Sequence, residues 1–376
     1  MCQEEKMANQ KIKIGILTHH YIKNYGAFLQ TYALQQYLTE TYPDADVKII
    51  DYVNQKHKWI NIAGCFRFFK GKENLRAYLE KIKLPKTFAK EEKKYLHLTK
   101  RVRSSKEINA LGLDLILVGS DEVWHYQDKA YAPVKFGYGL QAKGIASYAP
   151  SCGGVDTTKP IPAAVQEGMQ RFTHFSARDD IAEWLVQTTV GKKAVRVLDP
   201  TLLYDFPIYE DSFTEKLKKK PYMLMYFCEK LAAEGHQQLI DYAKKKGWEI
   251  YGAGEYAKYY SDITTNLTPF QWVEMFRNAQ LVVTGTFHGV VFSLISKRNF
   301  AAYLTNPSRV KKVHSLLEQF GLSNRIFTEK QIGQMQDLFA QDIDYGNFGE
   351  QMGKIRETSY SYLSDVIATV QEDKKA

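Results

Sequence analysis

"LVVTGTFHGVVFSLI", residues 281–295, sets Thr284-Gly285-Thr286 and a single histidine, His288, between two apolar runs. A short β-branched run that ends in Gly and small hydroxyl residues, then gives way to a helical run, reads as strand, turn and helix of a parallel sheet. In such sheets ligands bind beyond the carboxyl ends of the strands, where the next helix begins. His288 lies at that kind of place. The small residues leave room for a ligand, and the N–H groups at the start of a helix favour an anion. An imidazole there can donate a hydrogen bond to phosphate or move a proton. It can equally be a histidine bonded to backbone near a helix cap, and spacing alone leaves the two readings level.

Working outward, the same alternation recurs along the chain. "KIKIGILT" (11–18) is a strand and "HHYIKNYGA" (19–27) a loop. "AFLQTYALQQYLTE" (27–40) is a helix that ends before Pro43, and "VKIIDY" (47–52) is the next strand. "LDLILVGS", "KGIASYAP", "FSAR" and "AVRVLDPTLL" follow, with the helical run "DDIAEWLVQ" among them. From residue 221 the pattern restarts with "YMLMYFC", a helix, "WEIYGAG", the helix "PFQWVEMFRNA", the opening stretch and "NFAAYL". Two successive series of this kind predict an α/β protein of two doubly wound, Rossmann-like domains facing each other across a cleft. The expected boundaries are 11–205 for the N-terminal domain and 206–345 for the C-terminal one. A last helix over 346–370 is expected to pack back on the N-terminal domain.

The chain has 376 residues, hydrophobic residues make up 44% and charged residues 25%, as in globular proteins. No run approaches the ~18 apolar residues of a membrane helix. The polar start "MCQEEKMANQKIK" lacks the apolar core of a signal peptide, and Cys2, Cys65, Cys152 and Cys228 have no metal-ligand or redox spacing. The expectation is a bacterial-type cytoplasmic protein with reduced thiols. The net charge of +9 is uneven, because residues 56–106 hold 16 Lys/Arg against four Glu. The rest of the chain is slightly acidic. One reading makes that segment a lysine-clad helical insertion in the N-terminal domain, kept soluble by its charge. The other notes Trp59, Phe66, Phe68 and Phe69 among Arg67, Lys70 and Lys72, and expects peripheral contact with the inner membrane face or with an anionic, lipid-linked substrate. No nucleic-acid recognition motif accompanies the charge, so nucleic acid is not an expected partner.

Taken together, the motifs resemble the polysaccharide pyruvyl transferase family. "IGILTHHYIKNYGAFLQTYALQQYL", with Asn24-Tyr25-Gly26-Ala27 and Gln30, is similar to that family's opening. "DLILVGSDEVWH", "ASYAPSCG", "SARD", "VLDPTLL", "TGTFHGVVFSLI" and "SRVKKVHSLLEQFGLSNR" follow in its order, although Glu122 stands where Gln is common. The resemblance runs over about residues 12–325. It implies a GT-B-like fold and transfer of pyruvate from phosphoenolpyruvate onto two hydroxyls of a cell-envelope or capsular glycan precursor, forming a ketal. It implies no cofactor. The donor carries a phosphate and a carboxylate, so cations and helix N-termini are needed. Its methylene must gain a proton, and an acceptor hydroxyl must lose one.

Carried over by position, His288 is the acid or a phosphate ligand and Asp121 a candidate base. Arg178, Thr286, Gly289, Arg309 and Lys312 are expected to bind the donor anion, with Asn24, Tyr25, Gly26 and Ser120 lining the cleft. His288 and Arg178 are expected to face one anion site. Each has a plainer alternative: Arg178 could pair with Asp179 or Asp180, Asp121 could cap a turn, and Asn24-Tyr25-Gly26 could be an ordinary turn. One departure bears on the donor. Members with pyruvyl transfer often carry Arg two residues before the histidine, where this chain has Thr286, so either Arg309, Lys297 or Arg298 compensates or the donor is another anion. A GT-B-type glycosyltransferase using a nucleotide sugar, and a non-catalytic glycan- or nucleotide-binding protein, stay open as alternatives. There is no P-loop, and "GAGEYA" (252–257) lacks the final Gly of a dinucleotide fingerprint. Asp342-Ile343-Asp344 is treated as chance, and no metal is expected.

Overall fold

The structure is a computed structural model that describes residues 11–68, 73–228, 231–305 and 307–375. Phe69, Lys70, Lys72 and Cys2, named above, lie outside the described residues. The chain divides into two compact units. The first comprises Met1–Ile62, Glu92–Phe206 and Gly353–Ala376, and the second comprises Ala63–Glu91 and Pro207–Met352.

The first unit is built on strands β1 (Ile12–Leu17), β2 (Ala45–Ile49), β3 (Leu115–Val118) and β4 (Gly144–Ser147), all parallel in the order β2-β1-β3-β4. β3 and β4 are buried at every position, which explains why "LILV" and "GIAS" carry no polar alternation: a parallel sheet is covered on both faces. A helix over Tyr25–Thr41 leads from β1 to β2. Asn24 caps it, its side chain accepting from the Ala27 N–H at 3.1 Å, and Pro43 follows its end. The short strands β5 (Ser176–Ala177) and β6 (Val195–Arg196) form a parallel pair beside β4, to which the Ala146–His174 bridge joins them. The core gathers Trp124, Phe136, Phe172 and Phe175, with Trp124 edge-on to Phe172 at 5.8 Å. The last helix, Phe348–Lys375, bonds into this unit through Tyr362 Oη to Ser147 O (2.7 Å) and Leu198 N to Ser359 Oγ (2.9 Å).

The second unit holds five parallel strands in the order β11-β10-β9-β7-β8. Their ranges are β7 Tyr222–Tyr226, β8 Glu249–Gly252, β9 Leu281–Thr284, β10 Asn299–Tyr303 and β11 Ile326–Phe327. The helix after β9 spans Phe287–Ile295, so it starts two residues earlier than "GVVFSLISK" suggests and takes in His288. Both units therefore have the parallel-strand, alternating-helix order read from the sequence.

The basic segment does not stay together. It is helical over Gln55–Cys65, Leu75–Lys81 and Leu84–Tyr95, but residues 63–91 group with the second unit. Small polar contacts anchor them there: Asn74 Nδ2 donates to Tyr256 Oη (2.8 Å), Thr265 Oγ1 to Ala77 O (3.0 Å) and Thr87 Oγ1 to Asn266 Oδ1 (2.7 Å). Residues 97–102 run extended beside β2 instead, with Ile49 paired to Leu98 and Tyr52 to Val102.

Candidate active site

Strand order decides where a ligand can enter. In the second unit β8 lies on one side of β7 and β9 on the other, so the connections part between β7 and β9, and the crevice of a doubly wound sheet opens at their C-terminal ends. The Thr-Gly-Thr turn is pressed against that point. Gly285 N–H donates to Tyr226 O at 2.9 Å, and a Cβ on Gly285 would stand 2.3 Å from Phe227 O. Thr286 is the helix cap, its Oγ1 accepting from Gly289 N–H at 2.9 Å. A Cβ on Gly289 would meet Thr284 Oγ1 at 2.0 Å, so glycine is required by the same threonine that follows from the strand. Small residues in this stretch are thus the condition for the turn to close, and the turn presents a helix N-terminus with its positive dipole end. His288 lies in the first turn, partly exposed.

Of the three cations expected to make good the missing arginine, one reaches this turn. Arg309, in the first turn of the Pro307–Glu318 helix, donates from Nη1 to Gly285 O at 2.7 Å. Lys312, one turn along the same helix, is partly buried. Lys297 and Arg298 follow the other end of the Phe287–Ile295 helix, nine residues or about 13 Å of helix from its start, and do not serve its N-terminus. Asp342 and Asp344 are engaged locally, Asp342 by Asn299 Nδ2 and Asp344 by Gly346 N–H at 2.8 Å.

The first unit repeats the topology. β2 and β3 flank β1, and the C-terminal ends of β1 and β3 form the corresponding switch point. Asp121 follows β3 in a left-handed backbone conformation (φ 74°), fixed where Ser151 N–H donates to its carbonyl at 2.8 Å. Arg178, at the end of β5, pairs with Asp199 through Nη1 and lies 3.8 Å from Asp121 through Nη2. Burial works against the Arg178 charge, but Asp199 first and Asp121 next outweigh it and hold its pKa above the ordinary value. The neighbours in sequence do other work: Asp179 caps the Asp180–Val190 helix by accepting from Ala182 N–H (3.0 Å), and Asp180 pairs with Arg196 at 2.5 Å. With two carboxylates against it, Arg178 is charge-compensated. Its contacts suit it to aim Asp121 better than to attract a free anion.

Three expected cleft-lining residues are interior. Ser120 is fully buried and donates from Oγ to Gln30 Oε1 at 2.7 Å, while Gln30 Nε2 donates to Thr18 Oγ1 at 3.2 Å. That chain of side-chain bonds ties the ends of β1 and β3 to the first helix. Tyr25 and Gly26 are buried in the helix's first turn, and Asn24 is exposed as its cap. Sequence reasoning missed Asp199, although it stands in the "VLDP" motif. Aspartate before proline at a strand end was the available signal.

Two Rossmann-like α/β units, each with a polar constellation at its switch point, define an enzyme fold of the GT-B kind. The chain belongs to the polysaccharide pyruvyl transferase family, whose sequence model matches residues 24–307, and it is accordingly a transferase. Solved structures agree on the fold. A Listeria monocytogenes protein described as a UDP-N-acetylglucosamine 2-epimerase superposes with a TM-score of 0.54 at 12% identity, covering 96% of this chain and 97% of that one. The UDP-GlcNAc 2-epimerase of Methanocaldococcus jannaschii gives 0.50 at 11% identity, covering 93% and 99%. These likenesses speak for the fold alone. Among curated proteins none matches the chain. No helix among the described residues is long and apolar enough to cross a membrane.

Proposed function

We propose that the protein transfers pyruvate from phosphoenolpyruvate to two hydroxyls of a glycan precursor, giving a cyclic ketal and phosphate. The observation that carries the donor assignment is the Arg309 guanidinium on Gly285 O, beside the helix N-terminus that bears His288. The family's frequent arginine is absent from position 286, and Arg309 brings the same planar, always charged group to the same turn from another helix. In this reading the helix N-terminus and Arg309 hold the donor's anionic groups. His288 gives a proton to the methylene carbon, which becomes the methyl, and C2 takes on oxocarbenium character. A hydroxyl of the acceptor adds to C2, phosphate leaves, and the second hydroxyl closes the ketal. Each hydroxyl that adds gives up its proton to a base, the role for which Asp121 is the candidate from the sequence.

A thermal-shift series with phosphoenolpyruvate, pyruvate, UDP-sugars and GDP-sugars tests the donor. Phosphoenolpyruvate should raise the melting temperature, and Arg309→Lys should cut its affinity by roughly tenfold, about 1.4 kcal/mol, since an ammonium cannot form the planar fork. Stabilisation by nucleotide sugars alone would replace this reading with the glycosyltransferase one.

The proposed acceptor is carried on an anionic lipid, with the protein at an anionic membrane surface. Trp59 (66% exposed), Ile60, Phe66, Phe68, Leu75 and Leu79 are exposed apolar side chains within the most basic part of the sequence. Binding to phosphatidylglycerol vesicles should fall with added salt and with Trp59→Ala. No binding, or binding indifferent to salt, would leave the segment as a solvated face.

A further inference from the structure

The first unit contains a group of basic side chains that the proposed reaction does not use. Lys135 sits on the short 3-10 turn Pro133–Phe136, its carbonyl held by Trp124 Nε1 at 3.0 Å. The residue is 1% exposed, and Nζ has no hydrogen-bond partner among the described residues. It lies over the ring of Tyr21, 5.4 Å from the centroid. An ammonium so placed has a cation–π contact but no hydrogen bond among the described residues to replace its water, an uncommon state for lysine. Two histidines share its surroundings. His19, two residues beyond β1, has its ring 4.9 Å from that of His57, which stands in the first turn of the Gln55–Cys65 helix. Tyr21 Oη is 3.3 Å from His57 Nδ1.

Charge and enclosure point the same way. Burial, then Lys135, His57 and His20, push the His19 pKa well down, while burial and Lys135 lower that of His57, opposed by Asp128 and Asp121. Burial brings Lys135 to about 7 against the pull of Asp121 and Asp128. His20 faces Asp51 (3.1 Å), which also takes Arg101 (2.6 Å), and its Nδ1 has no partner among the described residues. His19 is partly buried and keeps accessible surface. Its position just after β1 puts it at the switch-point end of the sheet.

We propose that His19, His57 and Lys135 form an oxyanion-binding site in the first unit that takes up protons as a phosphate or carboxylate group enters. Empty, the three bases repel one another and stay short of full charge. An oxyanion bonded by the two imidazoles, with the Lys135 ammonium behind them, removes that repulsion and stabilises every protonated form. The inference does not depend on phosphoenolpyruvate being the donor.

Calorimetry of the full chain at pH 7.5, in two buffers of different ionisation enthalpy, counts the protons bound. Inorganic phosphate and acetate serve as separate probes, because acetate has no titrating group of its own at that pH and distinguishes a carboxylate site from a phosphate site. Binding of at least one probe should be accompanied by net proton uptake. His57→Gln and Lys135→Met should each abolish that uptake and weaken binding by tenfold or more. His288→Ala should leave the uptake in place, which separates this site from the donor site. Lys135→Met carries a stem of similar length into an apolar setting, and His57→Gln alters a partly exposed position, so one folded variant suffices. Failure of both probes to bind, uptake unchanged in the folded variants, or uptake lost with His288→Ala would each overturn the proposal.

Discussion

The two switch points share a backbone plan and differ in what fills it. At the end of β3 the first unit places a compensated network of ionised side chains, Arg178 between Asp199 and Asp121, almost closed to solvent. At the end of β9 the second unit places no charge in the turn itself, only Thr284, Gly285, Thr286 and Gly289, and leaves attraction of an anion to peptide dipoles and to Arg309 arriving from outside. A paired network ties local structure to chemistry, because removing one member leaves a buried charge short of a partner. A turn made of backbone separates them, because the side chain that reacts can be removed without disturbing what positions it.

That contrast can be tested from the larger effect to the smaller. His288→Ala should lower phosphate release from phosphoenolpyruvate and acceptor by roughly a hundred- to ten-thousandfold, the range of a lost general acid, while the thermal midpoint stays near that of the native protein. A large fall in the midpoint would make His288 structural and erase the difference. Asp199→Asn should cost about 3–5 kcal/mol in denaturant unfolding, as for other broken buried pairs. If it costs nothing, the network is not the fixed assembly described. Gly289→Ala should cost about 1–3 kcal/mol, since its methyl must displace Thr284 Oγ1 at 2.0 Å. It should also weaken the anion site, and unchanged phosphoenolpyruvate binding would show that the cap does not shape it.

Local rules made much of this legible. β-Branched runs between turn residues marked the strands, and the opening stretch located His288, because strand, turn and cap lie within nine residues. The pairs were not legible. Arg178 has two acids adjacent in sequence, yet its partners are Asp199 and Asp121, 21 and 57 positions away, brought to it by the order β1-β3-β4 and the β5–β6 pair. Lys135 was unremarkable in the sequence because its meaning lies in what surrounds it, His19 and His57 from two other elements. The division of the basic segment was hidden for the same reason. Three hydrogen bonds to residues nearly 180 or more positions distant attach 63–91 to the second unit, and none has a local pattern.

Neither unit is one continuous length of chain. The first is assembled from three stretches and the second from two. Cutting the gene at the codon after Phe206, where the alternation restarts, would yield two fragments that are each missing parts. The leading fragment would lack Ser359 and Tyr362, whose hydroxyls meet Leu198 and Ser147. The trailing one would lack Asn74, Ala77 and Thr87, which hold the Tyr256–Asn266 loop. Complementary halves should regain their structure only when mixed, and recombination between relatives would have to exchange the C-terminal helix together with the N-terminal stretches it completes.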